Sequence, residues 1–224
     1  MLNGPFVRSL VAITLFTLAL GGRSAEAQSV RVEAGGGWAF PSGTVTMTDA
    51  EENTPDPEVD TDSGPNTYAA VGLVWTLSEN LALEGRVRGQ QSQLRVKASA
   101  FRNPRCNRQC EFLNDPSGHV RGLTFEGQLT LTSVGRINPY FLVGLGVVRT
   151  VVDAARVEAI AGEQITYSEA RVTDAGGDVG FGATTRLTGD LRLTAETRVM
   201  GSLPGAKDNA ITTFPFTLGL SYEL

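Results

Sequence analysis

The last ten residues, Pro215 to Leu224, alternate without a break. Phe216, Leu218, Leu220, Tyr222 and Leu224 are apolar, and Thr217, Gly219, Ser221 and Glu223 stand between them. Period two is the mark of a strand with one apolar and one polar face. A tilted strand of about 9–11 residues is also long enough to cross a bilayer. This segment therefore restricts the chain to folds in which a two-faced strand finds partners on both edges.

The opposite end reads as an export signal. Arg8 supplies a positive charge, residues 10–20 form an apolar run, and Ala25-Glu26-Ala27 is a small-x-small cleavage site. The run is too short to span a membrane as a helix. Residues 1–27 are thus expected to be a signal peptide, with no Cys at the cleavage site for a lipid anchor. Residues 28–224 are then long enough for one domain. After residue 27 no apolar run approaches the length of a transmembrane helix. If the chain lives in a membrane it must do so as a closed barrel, since only helices and closed barrels satisfy their backbone polar groups in lipid. The net charge of −5 argues against non-specific binding to nucleic acid.

Alternation predicts eight strands, at about 29–39, 67–77, 81–96, 120–132, 140–152, 175–187, 191–200 and 211–223. Their connections differ in kind. Those after the second, fourth and sixth strands are short and rich in turn formers: Ser78-Glu79-Asn80, Gly135 to Pro139, and Thr188-Gly189-Asp190. The others are long, at about 40–66, 97–119, 153–174 and 201–210. Short turns at one end and long loops at the other describe a transmembrane barrel, with turns in the periplasm and loops outside. An even strand number puts both termini at the turn end.

The strand faces agree with one another. Leu191, Leu193, Ala195, Thr197 and Val199 oppose Arg192, Thr194, Glu196 and Arg198; Phe141, Val143, Leu145 and Val147 oppose Tyr140, Gly144 and Gly146. Alternation alone does not say which face points outward. A soluble, lipocalin-like barrel would bury the apolar face. The lopsided loops, the glycines on the polar faces and the mixed signs of the polar-face charges favour the inverted arrangement. Charges of both signs can pair inside a narrow barrel, whereas an unpaired buried charge costs several kcal/mol.

At this point the sequence resembles the small eight-stranded outer-membrane barrels of the OmpA/OmpX type, over nearly the whole mature chain. Asn138 to Gly146 is similar to the turn-to-strand junction common in these proteins. Gly180 to Leu187 and Leu191 to Arg198, joined by Thr-Gly-Asp, are similar to the hairpin that usually follows. The C-terminal alternation is similar to the signal read by the barrel-assembly machinery, although Leu224 stands where an aromatic residue is more usual. The resemblance implies an all-β, eight-stranded antiparallel up-and-down barrel in the bacterial outer membrane. The family holds adhesins, structural barrels and a few lipid-modifying enzymes, so it leaves activity open.

Several residues are candidates for function. The polar faces place Arg31, Glu33, Glu84, Arg86, Arg88, Glu126, Arg186, Arg192, Glu196 and Arg198 in an expected lumen charge network. Eight strands leave an interior that side chains can just fill, so this network should plug the barrel. Trp38, Trp75, Tyr140, Phe214 and Tyr222 lie near strand ends and are expected to form aromatic membrane rims.

The loops carry further candidates. Cys106 and Cys110 are the only cysteines; in an oxidising compartment a pair this close is expected to form a disulfide. Lys97, Arg102, Arg105 and Arg108 make the same loop basic, able to meet lipopolysaccharide phosphates or the acidic first loop. That first loop holds Asp49, Glu51, Glu52, Asp56, Glu58, Asp60 and Asp62. It lacks the complete EF-hand pattern and reads as a solvated segment. Asp115, Ser117 and His119 carry the side-chain types of a hydrolase, but turn chemistry explains each of them.

The expectation is a monomeric, non-enzymatic barrel without cofactor or metal. Its partners would be outer-membrane lipid, the assembly machinery and a surface ligand at the loops. The alternatives are a lipid-modifying barrel enzyme and a soluble ligand-binding barrel.

Overall fold

The computed structural model describes residues 29–47, 58–96, 111–114, 116–132, 136–158, 162, 164–203 and 211–224. Among these, eight long strands build the barrel: β1 (Ser29–Ser42), β4 (Gly64–Ser78), β5 (Leu81–Val96), β7 (Ser117–Leu131), β8 (Ile137–Val152), β11 (Ala170–Thr188), β12 (Leu191–Ser202) and β13 (Thr212–Glu223). Five short strands lie between them: β2 (Thr44–Thr46), β3 (Glu58–Asp62), β6 (Glu111–Phe112), β9 (Ala155–Glu158) and β10 (Gln164–Tyr167). All pairings are antiparallel. Each long strand pairs with its neighbours in sequence, and β1 pairs with both β4 and β13, so the ring closes. Closure removes the free edges that a flat sheet would expose.

The periplasmic connections are tight. Gly189 takes a positive φ of 51° in the turn between β11 and β12, which a residue without Cβ adopts freely. A register shift beside each of two turns, at Thr76/Ser78 and at Arg186/Thr188, marks a bulge.

At the other end the strands run further than alternation predicts: β4 starts at Gly64, β7 at Ser117 and β11 at Ala170. The first connection was expected to be a solvated loop. Part of it instead forms β3, which pairs with β2 and then with the end of β5. Glu58, Asp60 and Asp62 belong to that strand; Asp49, Glu51, Glu52 and Asp56 lie outside the described residues. In the third connection β9 pairs with β10, and β6 adds to β9. Main-chain groups beyond the hydrocarbon still need partners, and pairing supplies them.

The two faces of the barrel are inverted relative to a soluble protein. Outward-facing Phe125, Phe181 and Leu123 are 67%, 66% and 61% exposed, while Arg86 and Glu126 are 2% and 0% exposed. On β8 the outward apolar row runs from Ile137 to Val147 and gives way to Arg149. At about 3.4 Å per residue and a tilt near 45°, that row covers roughly 25 Å, the height of the apolar band of a membrane barrel.

The interior has two zones. Charged and polar side chains dominate the periplasmic and middle levels, with Val74, Ala82 and Leu142 buried among them. Toward the loops, inward positions turn apolar at Leu94, Val120, Val148, Val152 and Met200. These pack with Val45, Met47, Ala155, Val157, Ile165, Tyr167 and Ile211 from the outer segments into one buried cluster. The mouth of the barrel is thus closed by a hydrophobic cap.

Candidate functional site: the charged lumen and its cap

Arg86 on β5 is the hub of the lumen. Its Nε donates to Glu126 Oε2 on β7 at 2.6 Å, and its Nη2 donates to Glu196 Oε2 on β12 at 3.0 Å. Its Nη1 lies 3.5 Å from Glu33 Oε2 on β1. One guanidinium thus ties strands from several sides of the wall. Arg198 on β12 is the second hub. It donates to Glu196 Oε1 through Nε and Nη2 at 2.9 and 2.6 Å, and through Nη1 to Glu126 Oε1 at 2.7 Å and Asp178 Oδ2 at 2.6 Å.

Arg88 sits with its guanidinium carbon 3.6 Å above the Tyr68 ring, and its Nη1 is 3.1 Å from Glu196 Oε1. Tyr68 donates its hydroxyl to Glu33 at 2.6 Å, and Tyr140 donates to Glu196 at 2.9 Å. Near the periplasmic mouth Arg31 bridges Glu84 at 2.6 Å and Glu223 at 3.2 Å, and Glu223 also receives Arg192 at 2.6 Å. Among the described residues four buried arginines face five buried carboxylates, so the interior is close to neutral. Such close, charge-assisted contacts are the arrangement in which buried ions are tolerated.

Inward glycines make room for these long side chains. A Cβ at Gly144 would lie 2.7 Å from Glu126 Cγ, and one at Gly182 would lie 2.5 Å from the Tyr140 hydroxyl.

Two of the expected positions are corrected. Tyr140 is not a rim aromatic: it is 4% exposed, and its position on the polar face of β8 aims it into the lumen at Glu196. Arg186 does not join the network. It is exposed at the periplasmic end of β11, the last residue in register before the bulge, where it stands opposite another arginine, Arg192. Arg192 is present only at the mouth, half-covered, on Glu223.

The other rim candidates face outward. Trp38 and Phe214 are 42% and 41% exposed on neighbouring strands, with Trp38 opposite Phe216 and Phe40 opposite Phe214. Tyr222 is exposed at the periplasmic end of β13, and Trp75 is half-buried over Gly85. Asp178, Glu223 and Tyr68 enter the charged interior without having been singled out. Their signal was parity, since each stands on the polar face of its strand.

Ser117 and His119 lie two residues apart on β7. The Ser117 hydroxyl donates to Asp153 Oδ2 at 2.7 Å, so it is not directed at the imidazole. Nearby, Arg171 donates twice to Glu169 at 2.6 Å and holds that exposed carboxyl below the usual carboxylate range. Asp115, Cys106, Cys110, Lys97, Arg102, Arg105, Arg108 and the expected signal peptide lie outside the described residues.

A closed ring with hydrocarbon-like walls and an ion-paired interior does not suit water on its outer surface, which overturns the soluble-barrel alternative. This is the architecture of a small eight-stranded outer-membrane barrel. No family model and no curated relative matches the sequence. Among solved structures the barrel is similar to Neisserial surface protein A, at 15% identity over 87% of this chain and 97% of that one, with a TM-score of 0.48. It is also similar to the attachment invasion locus protein Ail of Yersinia pestis in complex with the heparin analogue sucrose octasulfate, at 11% identity over 88% and 98% of the two chains and a TM-score of 0.45. The outer membrane protease OmpT from Escherichia coli is matched at 11% identity over 90% and 99%, with a TM-score of 0.46.

Proposed function

We propose that the protein is a sealed, non-enzymatic barrel of the bacterial outer membrane, monomeric and without cofactor, which holds its outer segments above the lipid for contact with surfaces or partners. The observation that carries this reading is the interior. Arg86 and Arg198 bridge strands across the lumen, and the apolar cap closes the loop end. A solute path would have to break buried ion pairs and a hydrophobic core together. Ser117 engaged with Asp153 gives no support to a hydrolytic centre at the rim. The outer segments are the part free to differ in chemistry, and binding residues commonly sit on such connections over a rigid scaffold. Insertion would depend on the assembly machinery, which the alternating C-terminal strand fits.

The test is reconstitution of the full mature chain. It should migrate on gels in a heat-modifiable way, pass no stable current in planar bilayers and leave bilayer lipids unchanged by mass spectrometry. A reproducible conductance step would overturn the sealed lumen. A new lipid product would overturn the non-enzymatic reading.

A further inference from the structure

The outer wall of β7 and β8 changes character in one step. Leu123 and Val147 are directly opposed and are 61% and 49% exposed. The next outward pair toward the loops is Arg121 and Arg149, also directly opposed and both exposed. Two like charges in this position have Cβ atoms about 5 Å apart and repel each other. Among the described residues neither forms an ion pair. Glu169, which feels Arg149, is already held at both oxygens by Arg171. Asp153 accepts from the Ser117 hydroxyl at one oxygen and forms no ion pair with either arginine.

The surroundings suit an anionic headgroup. Gln91, opposite Arg121 on β5, accepts from Arg121 Nε at 2.9 Å, which steadies the arm and leaves both terminal nitrogens available. A hollow of about 300 Å³ opens beside it, lined by Pro65, Gln91, Gln93, Arg95, Ser117 and His119. Below the arginines, Gly89 is opposite Leu123, and a Cβ there would meet nothing within 4 Å. The lipid-facing wall is therefore indented under the charged pair.

We propose that Arg121 and Arg149 bind the phosphomonoester headgroup of a membrane lipid at the outer boundary, with an acyl chain lying against Leu123, Val147 and the Gly89 indentation. This rests on the reading of the chain as a membrane-spanning barrel. The pair stands where apolar wall meets water, which is the level of lipid phosphates. Guanidinium groups bind phosphate oxygens in a planar fork. A phosphomonoester, carrying up to two negative charges, offsets both arginines, whereas a phosphodiester offsets one.

The experiment reconstitutes the full mature chain in phosphatidylcholine vesicles and adds trace spin-labelled phosphatidic acid, phosphatidylglycerol or phosphatidylcholine. The motionally restricted fraction in the electron paramagnetic resonance spectrum reports lipid held on the wall. Wild type should prefer phosphatidic acid over phosphatidylglycerol by about fivefold, as one additional charge interaction near a membrane surface implies. R121Q/R149Q should lose that preference, and R186Q, at the opposite end, should keep it. Decline of the wild-type preference at high salt gives a second readout that needs no variant. No preference in wild type, or an unchanged preference in R121Q/R149Q, overturns the proposal. Displacement of the labelled lipid by millimolar inorganic phosphate would assign the site to free phosphate and also overturn it. Absence of any restricted lipid would instead defeat the membrane reading itself, so the two failures are distinguishable.

Discussion

Glu196→Ala is the most informative single change in the lumen. Glu196 accepts from Arg86, Arg198 and Tyr140, and it is the carboxylate paired with Arg88 among the described residues. Arg86 and Arg198 would keep Glu126 after the change, and Arg198 would also keep Asp178. Arg88 would keep the Tyr68 ring and its Nε hydrogen bond to Gln90 at 3.2 Å, but no carboxylate. The variant therefore leaves one fully buried arginine without an anion, a situation that costs about 3–5 kcal/mol. Urea unfolding from lipid vesicles, followed by tryptophan fluorescence, measures the loss. Arg88→Met combined with Glu196→Ala should recover part of it, because the orphaned charge goes with its partner, and the double-mutant cycle should show coupling above about 1 kcal/mol. Exposed Glu169→Ala should change stability by less than about 0.5 kcal/mol. A Glu196→Ala loss below about 1 kcal/mol would refute the reasoning, since water would then be reaching Arg88.

Three further outcomes are expected. Val143→Arg, in the middle of the outward apolar row, should destabilise folding into vesicles by about 2–4 kcal/mol, and Ile137→Arg, at its edge, by about 0–1 kcal/mol; equal penalties would contradict the depth assigned to the band. Met200→Ala removes a fully buried side chain from the cap and should cost about 2–5 kcal/mol while exposing the β9–β10 hairpin to limited proteolysis; unchanged protease resistance would show that the cap does not depend on this packing. Trp38 and Trp75 should be quenched more by lipids brominated near the headgroups than by lipids brominated near the chain ends, and the reverse profile would remove both from the rims.

Strand number and face parity were legible because a barrel wall imposes period two on every crossing. The predicted 81–96 coincides with β5, and 191–200 falls within β12. The misplaced residues came from judging a side chain by type or by the trend of its strand. Tyr140 was grouped with rim aromatics because it is aromatic and near a strand end, although its parity already placed it opposite Phe141 and Val143. Arg186 has inward parity but is the last residue of β11 in register before the turn, where the barrel end is open to water. The cap was not legible. Leu94, Val148 and Met200 occupy inward positions, yet their partners Met47, Val157 and Tyr167 come from distant connections with too few residues to show a pattern. The Arg121–Arg149 pair also required register, because its meaning lies in two strands being opposed at one level.

The central claim is that this chain turns its apolar faces to lipid and crosses its own lumen with ion pairs. Solid-state NMR of the mature protein in bilayers tests both halves in one sample. The account predicts contacts from lipid acyl protons to the Val143 methyls and none to those of Leu142, together with through-space correlations from the Arg86 guanidinium to the carboxyl carbons of Glu126 and Glu196. Acyl contacts at Leu142 in place of Val143, or an Arg86 side chain correlated with water alone, would contradict it.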